Sequence, residues 1–190
     1  MIISPPPVDG ATGHVADMYR GDLAADGMVF AHTQVMALDP EAHEAFESLV
    51  HAVVASIGVR DYELVTLAAA GALRSTHCLL AHGRKAVASG ILDEDQVIRL
   101  LDDHHDAGFS ERDVAMMDFA VKLSTDAASM TDEDGLALRR VGFTDRQIVD
   151  IALAAAARNY FSRALQALAV PVDDVPGLSP RLRAALTAGR

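Results

Sequence analysis

The only cysteine in the chain, Cys78, has the neighbours that a reactive thiol requires. Ser75 is a suitable helix N-cap, and a helix that begins there places Cys78 in its first turn. In that turn the sulfur faces the positive end of the helix dipole and free backbone N–H groups, which favour the thiolate. His82 follows four residues later on the same helical face, close enough to exchange a proton with the sulfur. The pattern indicates an activated thiol, but the spacing alone fits a buried, inert cysteine equally well.

The elements that position this motif are helical. Residues 46–57 carry apolar side chains at i, i+3, i+4, i+7, i+8 and i+11, and Asp39-Pro40 opens that helix while Gly58 closes it. Four later helix starts resemble capping boxes, which predicts helices near 94–103, 111–125, 132–140 and 145–158. No segment shows convincing strand alternation, so the expected fold class is all-α.

An internal repeat relates two alanine-rich helices. Shifting residues 57–82 by 84 positions onto 141–166 aligns a glycine turn, a capped helix start, an alanine-rich helix and an arginine, Arg74 or Arg158. We interpret these arginines as ion-pair partners of carboxylates at helix breaks. The reactive residues do not repeat, since Glu63, Cys78 and His82 correspond to Gln147, Ser162 and Gln166. We therefore expect one copy to carry the chemistry and the other to be structural, unless the two helices are similar only by chance.

Composition restricts the classes of function. The 190 residues suffice for one core and hence one domain, with 1–13 as an extended N-terminal arm and 171–190 as a C-terminal tail. Half the residues are apolar, but aromatic residues are few, which favours packed helices over a β-sandwich. A net charge of −11 makes nucleic acid and anionic membrane surfaces poor partners. One cysteine, no signal-like start and no long apolar run predict a cytoplasmic protein.

From Gly58 to Ser89 the chain resembles the carboxymuconolactone decarboxylase / alkylhydroperoxidase D-like family. The family signature is a glutamate, eleven residues, and then Cys-x-x-Cys-x-x-x-His at a helix start. Here Glu63 matches the glutamate, Cys78 the second cysteine and His82 the histidine, while His77 occupies a polar position often in the same relay. A weaker resemblance continues to about residue 172. It implies an alkylhydroperoxidase D-like helical bundle that assembles as a trimer or hexamer.

The first cysteine of the signature is replaced by Ser75. The internal disulfide that closes the family's peroxidase cycle therefore cannot form, and an oxidised Cys78 needs an external thiol for its reduction. The Ser75 hydroxyl remains able to hydrogen-bond the thiolate or the helix N–H groups. Glu63 precedes Cys78 by fifteen residues, about 22 Å along a straight helix. A fold-back near Arg74, or the glutamate of a neighbouring subunit, must bring the two together; otherwise Glu63 is only a helix-start carboxylate.

No metal or other cofactor is predicted. His77, Cys78 and His82 match no established zinc spacing. The histidine pair in residues 102–106 is interpreted as part of a solvated connection between helices, with a pH-sensitive or metal-binding role as the alternative. The remaining histidines are interpreted as surface or capping residues.

The sequence thus predicts a homo-oligomeric, thiol-dependent hydroperoxide reductase whose partners are a small hydroperoxide and an external thiol. Cys78 attacks the peroxide, His82 relays the proton, and Glu63 and His77 tune that relay. Two alternatives remain: a lyase that decarboxylates a small cyclic acid with His82 as base, and a non-catalytic oligomer that binds an apolar ligand.

Overall fold

The computed structural model describes residues 2–188, in which ten α-helices and one 3-10 turn are joined without any β-strand. This confirms the predicted all-α class. The helices are α1 (Gly13–Asp26), α2 (Ala31–Met36), α3 (Pro40–Ile57), α4 (Val59–Ala72), α5 (Thr76–Ala88), α6 (Glu94–Asp103), α7 (Glu111–Asp126), α8 (Asp132–Arg140), α9 (Asp145–Ala167) and α10 (Pro180–Thr187).

The helices begin where the sequence predicts, and capping side chains hydrogen-bond their first turns. Asp93, Ser110, Thr131 and Thr144 each form the predicted capping box with the residue three positions later. Each box pairs backbone N–H groups that the first helical turn would otherwise leave without partners. The bounds of α3, α6, α7 and α8 follow the sequence pattern to within one residue, whereas α9 continues nine residues beyond the predicted end.

Helix α4 is the centre of the bundle and packs against α3, α5, α7 and α9. Every residue from 61 to 70 is buried, which explains why this helix is apolar on nearly every side. Glu63 carries a charged side chain in this mainly apolar stretch, and that side chain is nevertheless fully buried. Burying a carboxylate destabilises the folded protein unless a cation or hydrogen-bond donor pairs with it, so Glu63 must have such partners in the core.

The chain reverses between α4 and α5, as the fold-back hypothesis requires. Arg74 adopts a left-handed backbone conformation with φ 54°, and Ser75 then occupies the N-cap position of α5. Gln166 on α9 donates to the backbone carbonyls of Leu73 and Arg74 and so supports this turn. The reversal lays α5 back along α4, which brings residues distant in sequence onto facing surfaces.

The C-terminal segment is not a free tail. Helix α10 packs against α5 and α6, and Leu182 and Leu186 on its inner face are buried. Gly83 on α5 allows this approach, since a Cβ there would lie 2.7 Å from a methyl carbon of Leu186. Residues 171–190 were predicted to be a tail, since Pro171, Pro176 and Pro180 interrupt the helical pattern there.

No helix within residues 2–188 has the length and apolar character of a membrane span.

Candidate functional site

The sulfur of Cys78 lies inside the protein, where the second copy of the repeat meets the first. Cys78 is 2% exposed, and its Sγ lies 3.2 Å from Ser162 Oγ and 3.2 Å from Arg158 Nη1. Both partners are on α9, and Ser162 is the residue that the 84-residue shift aligns with Cys78 itself. The expectation that the second copy is only structural is therefore wrong, because it supplies both hydrogen-bond partners of the sulfur.

Arg158 is a buried cation without an acidic partner. It lies in the middle of α9, only 4% exposed, and donates from Nη1 to Cys78 and from Nη2 to the hydroxyl of Tyr62 at 3.2 Å. Within residues 2–188 no carboxylate forms an ion pair with it, so the interpretation as a carboxylate partner at a helix break is wrong. Burial lowers the pKa of Arg158, but Cys78 and Tyr62 raise it by more, which keeps the guanidinium charged. A buried guanidinium in contact with the sulfur is placed to stabilise negative charge that develops on it during a reaction.

Glu63 and His82 form a hydrogen-bonded pair beside this sulfur. His82 donates from Nδ1 to Glu63 Oε2 at 2.7 Å, and Lys85 Nζ lies 2.9 Å from Glu63 Oε1. Burial would raise the pKa of Glu63, but His82 and Lys85 hold it down at about 2. Burial and the charge of Arg158 lower the pKa of His82. The pair is therefore a carboxylate with a neutral imidazole, and Nε2 of His82 remains available as a base.

The other predicted site residues have different surroundings from those expected. His82 does not hydrogen-bond Cys78, whose hydrogen-bond partners come from α9 instead. His77 donates from Nε2 to the carbonyl oxygen of Pro171 at 3.0 Å, which ties α5 to the segment before α10. Ser75 occupies the N-cap position but its side chain makes no capping bond, and its buried Oγ has no hydrogen-bond partner among residues 2–188. Glu63 reaches His82 within the same chain.

A cavity of about 470 Å³ adjoins Cys78, His77 and His82, whereas Glu63 and Ser75 lie behind its wall. Cys78, His82, Tyr62 and Arg158 form one part of its wall, and aromatic rings of α2, α3 and α9 form another. Six of the eight histidines line it: His14, His32, His43, His51, His77 and His82. Four of these, His14, His32, His43 and His51, were predicted to be surface or capping residues. They belong to α1, α2 and α3, which are far from the Cys78 motif in sequence and meet it only in the folded protein.

His32 shows how desolvated the cavity wall is. Its ring stacks on Phe30, with centroids 5.1 Å apart, and meets the edge of Phe161 at 5.8 Å. Burial is the main cause that lowers its pKa to about 3, and the neighbouring His77 and Arg158 lower it further. At neutral pH this imidazole is uncharged and acts as part of an aromatic wall.

Residues 40–122 match the model of the Carboxymuconolactone decarboxylase family. The predicted resemblance to the carboxymuconolactone decarboxylase / alkylhydroperoxidase D-like family is thereby confirmed. The matched segment contains Glu63, Cys78 and His82 but ends before Arg158 and Ser162. None of the curated proteins is similar enough in sequence to count as a relative.

Solved structures share the fold over nearly the whole chain. An uncharacterized peroxidase-related protein from Ralstonia eutropha JMP134, described as an alkylhydroperoxidase AhpD core, is 20% identical with a TM-score of 0.80, covering 97% of this chain and 95% of that one. An uncharacterized peroxidase-related protein from Silicibacter sp. TM1040 is 24% identical with a TM-score of 0.77, covering 90% and 91%. At such identities the similarity establishes the fold.

The same fold is found in a debrominase, Bmp8, at 18% identity and a TM-score of 0.78, with coverage of 97% of this chain and 96% of that one. A cysteine-to-alanine variant of that protein is known in complex with 2,3,4-tribromopyrrole. This architecture therefore occurs in proteins described by different activities.

Proposed function

We propose that this protein is a thiol-dependent reductase of organic hydroperoxides that uses Cys78 as its only redox-active sulfur. The observation that carries the proposal is the buried contact between Cys78 Sγ and the guanidinium of Arg158, which has no carboxylate partner within residues 2–188. An inert core cysteine gains nothing from a desolvated cation, whereas a thiolate is stabilised by one. The family resemblance and the peroxidase-related proteins of the same fold agree with this chemistry.

In the proposed first step the Cys78 thiolate attacks the terminal oxygen of the hydroperoxide. The O–O bond breaks, the sulfur is oxidised to a sulfenic acid, and the organic fragment leaves as an alcohol once it has gained a proton. Because His82 shares no hydrogen bond with Cys78, the thiol proton reaches Nε2 through the bound hydroperoxide or a water molecule. His82 then returns it to the leaving oxygen, while Glu63 fixes the ring through Nδ1. The Ser162 hydroxyl, 3.2 Å from the sulfur, is placed to hydrogen-bond the sulfenic oxygen.

The second half of the cycle requires two molecules of an external thiol. The first attacks the sulfenic sulfur, releases water and leaves a mixed disulfide on Cys78, and the second releases a free disulfide and restores the thiol. The chain has no second cysteine to replace either molecule. The cavity favours a hydroperoxide that carries an organic group, since 470 Å³ with aromatic walls far exceeds the volume of hydrogen peroxide.

Steady-state turnover of cumene hydroperoxide tests this proposal. We expect turnover that depends strictly on an added thiol, disappears in Cys78→Ala and persists in Arg74→Met, the matched change at the repeat-equivalent arginine. If wild type and Cys78→Ala are equally slow with glutathione, dithiothreitol and a thioredoxin-type donor, the reductase proposal fails. Decarboxylation of a cyclic acid or simple ligand binding would then explain the cavity better.

A second candidate is thiol-dependent dehalogenation of an aromatic compound. The aromatic walls of the cavity and the debrominase of the same fold favour it. The Cys78 thiolate would attack the halogen, the ring carbon would take a proton, and two external thiols would convert the sulfenyl halide to thiol, disulfide, halide and a proton. Bromide release from tribromopyrrole, absent in Cys78→Ala, would support this reaction, whereas peroxide turnover without bromide release would exclude it.

We further propose that the chain forms a homotrimer or hexamer. One face of α9 leaves three large apolar side chains in solvent: Val149 is 57% exposed, Leu153 39% and Tyr160 52%. Their spacing of four and seven residues places them in one row, which is typical of a surface that another subunit covers. Sedimentation velocity at micromolar concentration should show the trimer or hexamer, and a monomer would contradict the proposal.

A further inference from the structure

A second group of ligand-type side chains lies at the turn after α6, away from the cavity. His104 caps the C-terminal end of α6, and Asp103 accepts a hydrogen bond from the backbone N–H of His105 at 2.9 Å. Asp103, His104 and His105 can each place one donor atom within 4.8 Å of those of the other two. None of these residues lines the cavity around Cys78.

A carboxylate from the next helix meets both imidazoles. Asp118 Oδ1 on α7 lies 2.8 Å from His104 Nε2 and 3.0 Å from His105 Nε2, and the two rings are 4.5 Å apart with a tilt of 31°. When Nε2 donates to a carboxylate, Nδ1 keeps its lone pair for a metal. This is the usual arrangement of metal-binding histidines, whose second nitrogen is held by an outer carboxylate.

The local charge also favours a cation. The turn itself, residues 102–106, contains three carboxylates and no lysine or arginine, and the nearest arginines in the sequence are Arg99 and Arg112. The C-terminal end of α6 adds the negative end of its dipole at His104. A divalent ion there would offset this repulsion and connect α6 to α7.

We infer that Asp103, His104 and His105 bind a divalent transition-metal ion of the zinc type, with Asp118 as the outer carboxylate. Two imidazoles and one carboxylate suit zinc rather than magnesium or calcium, which prefer oxygen ligands. Three protein ligands leave a fourth position for solvent. Residues 102–106 were predicted to be a solvated connection rather than a metal site, and Asp118 was not predicted to take part, since it lies on the following helix.

Isothermal titration of the tag-free protein with zinc chloride tests the site. We expect one zinc ion per chain in wild type, no binding of magnesium chloride, and at least tenfold weaker zinc binding in His104→Ala and in His105→Ala. Asp118→Asn should weaken binding about 10- to 100-fold, as the loss of an outer carboxylate does elsewhere. The same titration should be unchanged in Cys78→Ala and in His51→Ala, which remove potential ligands from the cavity.

Unchanged zinc binding in both His104→Ala and His105→Ala would overturn the inference. A stoichiometric site that disappears in Cys78→Ala would also overturn it, because the metal would then bind at the thiol. Far-ultraviolet circular dichroism of each variant checks that the helices remain, so that lost binding reports lost ligands.

Discussion

Replacing Arg158 by methionine removes the charge beside Cys78 and keeps a side chain of similar length. The guanidinium donates to the sulfur over 3.2 Å inside the core, where a hydrogen bond to a charged group contributes about 1.5–3 kcal/mol. At about 1.4 kcal/mol for each factor of ten, its loss should slow reactions in which the sulfur acts as a nucleophile about 10- to 100-fold. Methionine is not expected to destabilise the fold, since it replaces a buried cation that has no acidic partner.

The assay is the rate of alkylation of Cys78 by iodoacetamide at pH 7. With one cysteine in the chain, every alkylated molecule reports on this sulfur. We expect Arg158→Met to react about 10- to 100-fold more slowly than wild type. Arg158→Lys keeps the charge but cannot donate to Cys78 and Tyr62 at once, so its rate should lie between those of the other two proteins. Arg74→Met, at the equivalent position of the first repeat, should react at the wild-type rate.

Urea unfolding separates chemistry from folding. The free energy of unfolding of Arg158→Met should equal or exceed that of wild type. An alkylation rate equal to that of wild type in a folded Arg158→Met protein would refute the claim that this arginine stabilises the thiolate, and Cys78 would then be an ordinary buried cysteine.

Three further predictions concern acid stability, packing and the missing cysteine. Because the folded pKa of His32 is about 3 while the unfolded value is 6.5, only the unfolded chain gains this proton as pH falls from 7 to 5, and stability is lost. His32→Phe should reduce that loss by up to about 2 kcal/mol in urea titrations at the two pH values, and an equal loss in both proteins would contradict this. Gly83→Ala should lower the free energy of unfolding by up to about 2 kcal/mol, because overlap of its Cβ with Leu186 costs about 1–3 kcal/mol and the better helix propensity of alanine offsets about 1 kcal/mol of that. An unchanged urea midpoint would show that α10 can shift at little cost. Ser75→Cys should form an internal disulfide with Cys78, seen as the loss of two hydrogens in the intact mass after one equivalent of peroxide; a persistent sulfenic acid would show that the two sulfurs cannot meet.

Local signals made most of the fold predictable. Capping residues such as Ser110 and Thr144 act within one helical turn, so that their pattern is visible in a short stretch of sequence. The length of α9 was not predictable in the same way. Arg158 was interpreted as the end of a helix by analogy with Arg74, but Arg74 ends its helix through a left-handed backbone turn that Arg158 does not share.

The site residues that could be predicted are those within the family motif, Glu63, Cys78 and His82. Glu63 and His82 are brought together by the reversal after α4, which the fold-back hypothesis included. Arg158 and Ser162 lie about eighty residues away, and their contact with Cys78 depends on how α9 packs against α4 and α5. The repeat held a signal that could have identified Ser162, because residues at equivalent repeat positions can face each other across a pseudosymmetric core. The prediction that only one copy carries the chemistry left this signal unused.

Mass spectrometry of the intact protein after one equivalent of cumene hydroperoxide, with and without a sulfenic-acid trap, tests the central claim most directly. The account predicts that one oxygen is added to the chain, that the trap labels the product, and that excess glutathione returns the mass to that of the reduced protein. All three changes should be absent in Cys78→Ala. A wild-type protein that remains unmodified while the peroxide persists would contradict the account.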